Sequence, residues 1–226
     1  MTLPPPPLWP QAVAVARRDL LRERRRGEVT WVTLPFGAIA LLLIPLAIGI
    51  DAPTLRRIGP GLNWIVVLLF GVLVTVRRTA VDGAADRDLA MRLGIDPAAV
   101  FIGRTMANAG LLLVFELVVG AAAVVLYDIE LTRWPWLLAV IPAAALGLGL
   151  LGTLAGAIAA GQGGANLVPF LVAPLAIPLL LGATQALDAG LADGDGSLPW
   201  VLLMVLVDVI VAIVGVLTAR PLQETR

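Results

Sequence analysis

Six apolar runs divide the chain, and most of them are long enough to cross a lipid bilayer. They cover residues 30–50, 62–76, 105–127, 136–160, 165–187 and 198–219. A membrane-spanning helix needs about 20 apolar residues, and it satisfies its own backbone hydrogen bonds in lipid. Strand-like alternation is absent, and only 14% of the residues are charged. The sequence therefore predicts an all-α integral membrane protein, with a single transmembrane domain over residues 1–226, six transmembrane helices and no aqueous domain.

The arginines are distributed unevenly among the segments that connect these runs. Residues 1–29 carry six arginines, residues 77–104 carry five and the C-terminal tail carries two, whereas the opposite side has only Arg56, Arg57 and Arg133. Positively charged connecting segments stay in the cytoplasm. We therefore expect a multi-pass protein of a bacterial plasma membrane with both termini in the cytoplasm.

The N-terminal segment is predicted to be a cytoplasmic tail followed by a basic helix over residues 11–26. Val13, Ala16 and Leu20 share one apolar face of this helix, and arginines occupy much of the rest. An amphipathic basic helix directly before a membrane span commonly lies in the membrane interface. A compatible alternative is that its arginines act only as a signal for membrane topology.

Residues 77–104 form the longest charged connection between two apolar runs. Asp82 suits a helix N-cap, Leu89 and Leu93 recur at helical spacing on one face, and Gly94 suits a helix C-terminus. A short amphipathic cytoplasmic helix is predicted here. Its apolar face either docks on another protein or lies on lipid; the alternative is a solvated loop that has no partner.

A second helix is predicted to begin directly after this loop. Asp96 and Pro97 form a typical start, an N-cap followed by a first-turn proline. The predicted helix ends at Tyr127, and its length of about 46 Å at 1.5 Å per residue exceeds the hydrocarbon core. Its first turns, with Arg104 and Asn108, are therefore expected to project into the cytoplasm or to bend along the interface.

Two carboxylates lie in the middle of apolar runs, Glu116 in the third and Asp208 in the sixth. Ionisable residues inside a membrane are costly and are often functional. They are interpreted either as a proton relay, or as neutral groups that line a groove or hydrogen-bond to each other or to neighbouring Thr and Asn side chains.

Prolines and glycines mark two further runs. The fifth run contains Pro169, Pro174 and Pro178, which predict a helix that is broken or kinked, since each proline removes a backbone hydrogen bond. In the fourth run, Gly152 and Gly156 form a pair that permits close helix packing, expected within the chain rather than between two copies.

Residue types that the chain lacks exclude several functions. It contains no His and no Cys, so it has no imidazole base, thiol nucleophile or structural zinc site. It also contains no Lys, which a Walker A motif requires. We therefore expect neither an enzyme nor a metal protein, no nucleic-acid partner, and no cofactor held by this chain.

In order and spacing, several segments together resemble the CcmB family, the membrane subunit of the cytochrome c maturation ABC transporter. The resemblance covers nearly the whole chain. It is carried by the basic segment that ends at residues 24–28, by residues 55–61 leading to Trp64, by Gly103-Arg104, and by Ala173 to Pro178 followed by Gly182.

This resemblance implies the fold and partners of a type-2 ABC exporter permease. The loop over residues 77–104 would carry a coupling helix that docks on a separate, CcmA-like ATPase, the site of ATP hydrolysis. The docking residues would be Asp86, Arg87, Asp88, Leu89, Met91, Arg92 and Leu93. Two permease copies usually face two ATPases, so a homodimer is one expected assembly.

The resemblance further implies CcmC-like and CcmD-like membrane partners and release of a haem-loaded, CcmE-like chaperone during cytochrome c biogenesis. Haem would be handled by the whole complex; in this chain only Met side chains or Tyr127 are available as axial ligands. The alternatives are a permease of the same fold for a lipid or drug, a proton-coupled carrier that uses Glu116 and Asp208, and a scaffold without transport.

Overall fold

The computed structural model describes residues 7–27, 29–49, 51–81, 90, 92–128, 134–162, 165–191 and 196–220, and regular structure in this part of the chain is helical. Within these described ranges, seven α-helices have bounds: α1 Leu8–Arg26, α2 Leu34–Ile48, α3 Ala52–Val81, α4 Pro97–Tyr127, α5 Trp134–Gln162, α6 Val168–Leu191 and α7 Ser197–Ala219. A π-helical turn at Val29–Thr33 precedes α2, and a 3₁₀ turn at Ala165–Leu167 precedes α6.

Five of the described helices are long and apolar enough to cross a membrane. Their apolar segments are Pro53–Arg78, Pro97–Tyr127, Pro135–Ala159, Val168–Leu187 and Ser197–Ala219. The protein is thus an all-helical, multi-pass membrane protein. The first predicted run instead forms a shorter apolar segment, Trp31–Ala47, and the count of six spans stays a prediction.

Helix α3 is longer than the apolar run from which it was predicted. It begins at Ala52, whereas the run begins at residue 62, and it contains Pro60. Arg56 and Arg57 therefore lie on the first turns of α3 and not in a connecting loop. Arg56 forms an exposed ion pair with Asp128, which directly follows α4, so this pair joins the ends of two helices.

The predicted start and end of helix α4 are confirmed. Asp96 has extended backbone geometry and its side chain accepts a hydrogen bond from the Ala98 N–H at 2.8 Å, as an N-cap residue does. The helix then runs for 31 residues from Pro97 to Tyr127. At its far end, the Tyr127 hydroxyl donates to the Leu41 carbonyl at 2.7 Å, which ties α4 to α2.

Helix α5 packs against its neighbours through glycines on several sides. A Cβ at Gly149 would lie 2.9 Å from the Ala109 nitrogen of α4, and one at Gly152 would overlap Thr75 of α3. Because both close approaches are to helices of the same chain, packing within the chain is confirmed at Gly152. Buried side chains such as Phe115 and Leu148 fill the core around these contacts.

Helix α1 packs along the first turns of α4. Ala12, Val15 and Ala16 are buried there, whereas Val13 and Leu20 of the predicted apolar face are exposed. A Cβ at Gly103 of α4 would lie 2.5 Å from the Ala12 carbonyl oxygen, so glycine allows the two backbones to approach. The docked face of α1 is thus made of small residues, and contact of Val13 and Leu20 with lipid stays a prediction.

Candidate functional site at the charged loop

The charged loop between α3 and α4 is described only at its C-terminal end. Asp86, Arg87, Asp88, Leu89 and Met91 lie outside the described residues, as does the predicted N-cap Asp82. Arg92 is exposed, and Leu93 is 66% exposed. An apolar side chain is thus presented outward at the end of the loop.

The predicted stop at Gly94 is confirmed. Gly94 has a left-handed backbone with φ of 65°, a conformation that glycine adopts without steric cost. The Ile95 N–H donates back to the Ala90 carbonyl at 3.1 Å, which is the bond expected of a Schellman motif. The chain therefore turns sharply between the loop and the start of α4.

A buried ion pair fixes the other end of the loop. Asp19 of α1 is only 4% exposed, and its Oδ2 lies 3.6 Å from Nη2 of Arg78, near the end of α3. Its Oδ1 lies 3.1 Å from Nη2 of Arg18. The carboxylate thus lies between two guanidinium groups, which compensates for the cost of burying its charge.

Arg78 continues this network into the bundle. Its guanidinium donates to the Asn108 side-chain oxygen of α4, and the Asn108 amide donates at 2.9 Å to the Thr153 hydroxyl of α5. The Thr153 hydroxyl in turn donates to the Gly149 carbonyl at 2.7 Å. Asn108 therefore lies inside the bundle, in a chain of hydrogen bonds from α1 to α5, and is not a projecting cytoplasmic residue.

Asp96, at the start of α4, forms contacts with α1 and with the residue that follows α7. Its backbone N–H donates to the Gln11 side-chain oxygen of α1 at 2.8 Å, and its Oδ2 lies 3.0 Å from Nη2 of Arg220, just after α7. The hydrogen bond from the Ala98 N–H, together with Arg220, holds the pKa of Asp96 below its ordinary value. Favoured ionisation keeps the acceptor of these contacts charged at neutral pH.

Both ends of the loop are therefore attached to α1. Asp19 contacts the end of α3 through Arg78, and Gln11 contacts the start of α4 through Asp96. Sequence reasoning missed both contacts. One feature of the sequence could have indicated the docked face of α1: the charged Asp19 lies on the same helical face as the small residues Ala12 and Ala16.

The two intramembrane carboxylates lie in separate surroundings. Both oxygens of Glu116, which is 2% exposed, have no hydrogen-bond partner among the described residues. Asp208 lies against Gly147 of α5, and its Oδ1 likewise has no such partner. Hydrogen bonding of the two acids to each other is therefore wrong for the described structure.

The proline-rich span is one uninterrupted helix in the structure. Pro169 lies in the first turn of α6, where a missing N–H has no cost, and Pro174 and Pro178 lie inside the helix. A kink at these two prolines stays a prediction.

Among the described residues, no group of three or more acidic side chains is arranged to hold a metal ion.

Comparison with known proteins assigns the family. A family model described as CcmB protein matches residues 11–223. Heme exporter protein B of Paracoccus denitrificans is 30% identical over 189 residues, covering 80% of this chain and 84% of that protein. Heme exporter protein B of Pseudomonas aeruginosa is 31% identical over 205 residues, covering 84% and 86%, and that of Haemophilus influenzae is 28% identical over 181 residues, covering 77% and 80%.

Proposed function

Because this chain belongs to the CcmB family, we propose that it is the membrane permease subunit of an ABC transporter that exports or handles haem for cytochrome c biogenesis. The observation that carries this proposal is the family match, which extends over nearly the whole chain and includes relatives named for haem export. Haem is the cargo of the complex in this proposal and not a cofactor of the chain.

Energy would enter from a separate ATPase. The chain has no Lys for a phosphate-binding loop, so ATP would be hydrolysed by a CcmA-like partner. Its docking site would be residues 86–93, on the arginine-rich and therefore cytoplasmic side. The contacts of Arg78 and Asp96 with α1 support this role. Because both ends of the loop are attached to α1, a movement of the ATPase against the loop would be transmitted to the helices and not absorbed by flexible chain.

The remaining parts of the proposal concern assembly and orientation. We place the protein in the bacterial inner membrane with both termini in the cytoplasm, six spans and the type-2 exporter permease fold. CcmC-like and CcmD-like membrane proteins and a haem-loaded, CcmE-like chaperone would complete the complex, with two permease copies facing two ATPases. The exposed apolar sides of α2 and α7 support contact with lipid or with such membrane partners.

A co-purification experiment tests the ATPase site. The tagged chain is co-expressed with a CcmA-like ATPase from the same organism. The amount of ATPase recovered with the wild-type chain is compared with the amount recovered with the double variant Leu89→Asp, Leu93→Asp. Charges on the apolar face of the loop are expected to reduce recovery about ten-fold or more. The matched control is Thr54→Asp, an exposed position at the other end of α3; equal recovery from all three proteins would reject the docking site.

A gene deletion separates haem handling from export of a lipid or drug. Loss of holo-cytochrome c is expected while the apocytochrome is still exported, and the wild-type gene is expected to restore holo-cytochrome c. A normal amount of holo-cytochrome c in the deletion strain would reject the proposed function. A permease for a lipid or drug would then be the remaining interpretation.

A further inference from the structure

The side of α1 that points away from the bundle combines apolar and basic residues. Its members are exposed and follow one another at spacings of three or four residues, so they share one helical face. This outer face of α1 consists of Trp9, Val13, Arg17, Leu20 and Arg24. It contains no acid, and among the described residues neither of its arginines forms an ion pair. The surface is therefore apolar along one stripe and positively charged along its edge.

Contacts on the opposite side of α1 fix the direction in which the outer face points. Ala12 is buried, and a Cβ at Gly103 of α4 would lie 2.5 Å from its carbonyl oxygen. Asp19, also buried, forms its ion pair with Arg78 of α3. A rotation of α1 about its own axis would break both contacts. The outer face is thus held away from the rest of the described chain.

The length of α4 places this face at the depth of lipid headgroups. Gly103 and Tyr127 are 24 residues apart, which is about 36 Å at 1.5 Å per residue. A hydrocarbon core of about 30 Å that begins at Tyr127, beside the exposed ion pair of Asp128, ends about 6 Å before Gly103. The headgroup layer on each side of the core is about 5–7 Å thick. Because α1 contacts α4 at Gly103, α1 lies beside the headgroups.

We propose that the outer face of α1 is a binding surface for anionic phospholipids. Trp9, Val13 and Leu20 would lie among the first carbons of the acyl chains, a depth at which tryptophan is enriched in membrane proteins. Arg17 and Arg24 would bind the phosphates of the headgroups, because a guanidinium group forms paired, charge-assisted hydrogen bonds with phosphate oxygens.

The net charge of the lipid decides between possible headgroups. Phosphatidylcholine carries a quaternary ammonium beside its phosphate, and this positive charge opposes the two arginines. Phosphatidylglycerol has only the negative charge of the phosphate. Attraction to an anionic membrane surface raises binding by about five-fold for each arginine. An acidic protein surface would also match the arginines, but the depth of the apolar stripe favours lipid as the occupant.

The proposed lipid surface does not depend on haem export. A lipid that binds the folded protein and not the unfolded chain stabilises the fold, so anionic lipid would strengthen the docking of α1. Gln11 and Asp19 of α1 contact the two ends of the charged loop, at Asp96 and Arg78. The lipid composition of the membrane would thereby act on the segments that hold this loop.

Quenching of a single fluorophore by spin-labelled lipids tests the proposal. The chain contains no Cys, so Val13→Cys provides one thiol for an NBD fluorophore in the middle of the outer face. The purified full-length protein is placed in phosphatidylcholine nanodiscs with a small, equal fraction of phosphatidylglycerol or phosphatidylcholine that carries a nitroxide near the headgroup end of one acyl chain. The quenching by phosphatidylglycerol is expected to correspond to an enrichment of about ten-fold over phosphatidylcholine.

Two double variants that lose the same charge locate the effect. Arg17→Gln with Arg24→Gln, made in the Val13→Cys protein, is expected to lower the enrichment by about five-fold or more. The matched control is Arg25→Gln with Arg57→Gln, which changes exposed arginines on an adjacent side of α1 and at the start of α3. The control should leave the enrichment within about two-fold of its original value, because charges farther from the label are screened.

Equal quenching by the two lipids in the Val13→Cys protein would show contact with lipid without recognition of charge, and it would overturn the proposal. Absence of quenching by either lipid would show a face covered by protein or open to water, and would overturn it as well. Enrichment that persists in Arg17→Gln, Arg24→Gln would assign recognition to other groups. An equal loss in both double variants would assign it to the charge of the whole chain.

Inorganic phosphate, added at constant ionic strength, separates a lipid surface from a site for free phosphate. It is expected to leave the enrichment unchanged, and loss of the enrichment would reject the lipid as the occupant. Should Arg17→Gln, Arg24→Gln fail to fold, the comparison of the two lipids in the Val13→Cys protein, with and without phosphate, decides by itself.

Discussion

Asp19 on α1, which is buried, and Arg78 near the end of α3, which is 20% exposed, form an ion pair with 3.6 Å between Oδ2 and Nη2. The pair joins the N-terminal helix to the segment that leads into the charged loop. Removing one member of a buried pair leaves the other charge without compensation. The stability of the region around α1 and the end of α3 should therefore depend on this single carboxylate.

We expect Asp19→Asn to lower the free energy of unfolding by roughly 2–3 kcal/mol, somewhat less than for a fully buried pair, because Arg78 keeps its bond to Asn108. The measurement is thermal unfolding of the detergent-solubilised protein followed by helicity. Arg24→Ala, an exposed position on the same helix, is the control and should change stability by less than about 0.5 kcal/mol. Equal effects of the two variants would contradict a structural role for the pair.

Gly103 and Gly110, both on α4, offer a matched comparison. A Cβ at Gly103 would meet the Ala12 carbonyl and Val15, whereas one at Gly110 would meet nothing within 4 Å. Gly103→Ala is therefore expected to destabilise the protein by about 1–3 kcal/mol through overpacking. Gly110→Ala should stabilise it by roughly 0.5–1 kcal/mol, since alanine favours helices. Equal unfolding temperatures of the two variants would show that α1 does not dock closely on α4.

Asp96 should make stability depend on pH in the acid range. Its pKa is lower than the ordinary value of 3.8 because of the hydrogen bond from Ala98 and then of Arg220. A depressed pKa stabilises the folded protein above pH 3.8, and this contribution is lost as the pH falls through that value towards the folded pKa. Unfolding midpoints are measured from pH 7 to pH 3.

The comparison variant for this prediction is Asp96→Asn, which keeps an N-cap acceptor and removes the charge. At neutral pH it should be less stable than the wild type by under about 1 kcal/mol, the usual value of an exposed ion pair. The difference should close as the pH falls below 3.8, the ordinary pKa of the group. A difference that is constant with pH would mean that the charge of Asp96 contributes nothing.

Glu116 should be replaceable by an apolar residue with a gain in stability. Both of its oxygens are without a partner among the described residues, and removal of an unsatisfied buried polar group is favourable by about 1–3 kcal/mol. Glu116→Leu is therefore expected to unfold at a higher temperature than Glu116→Gln. A Glu116→Leu variant that unfolds at a lower temperature than the wild type would contradict this prediction.

Local chemistry was enough to predict the boundaries of some elements. An N-cap such as Asp96, a first-turn proline such as Pro97 and a terminal glycine such as Gly94 each act within a few residues. The start of α4 and the turn before it therefore agree with the structure. The long apolar runs likewise predicted the helices that could cross a membrane.

Contacts between distant segments were not predictable in the same way. Asp19 is one of several charged residues on α1, and only the docking of α1 on α4 separates it from the exposed arginines around it. Thr105 and Asp208 belong to different apolar runs, and both line one groove because of how α4 and α7 pack on α5. Hydropathy reports the extent of a span but not which of its faces meets a neighbour.

The shortness of the first apolar helix has a consequence for the surrounding lipid. Its segment Trp31–Ala47 is about 25 Å long at 1.5 Å per residue, against about 30 Å for a typical hydrocarbon core. The hydrogen bond from the Tyr127 hydroxyl to the Leu41 carbonyl holds this helix to α4, so a shift of the helix along its own axis would break that contact. In the proposed arrangement of six spans, lipid tails beside this helix would shorten or tilt, at a cost of a fraction of a kcal/mol per Å. The protein is thereby expected to favour thin bilayers, and the bilayer is expected to be locally thinner beside this helix.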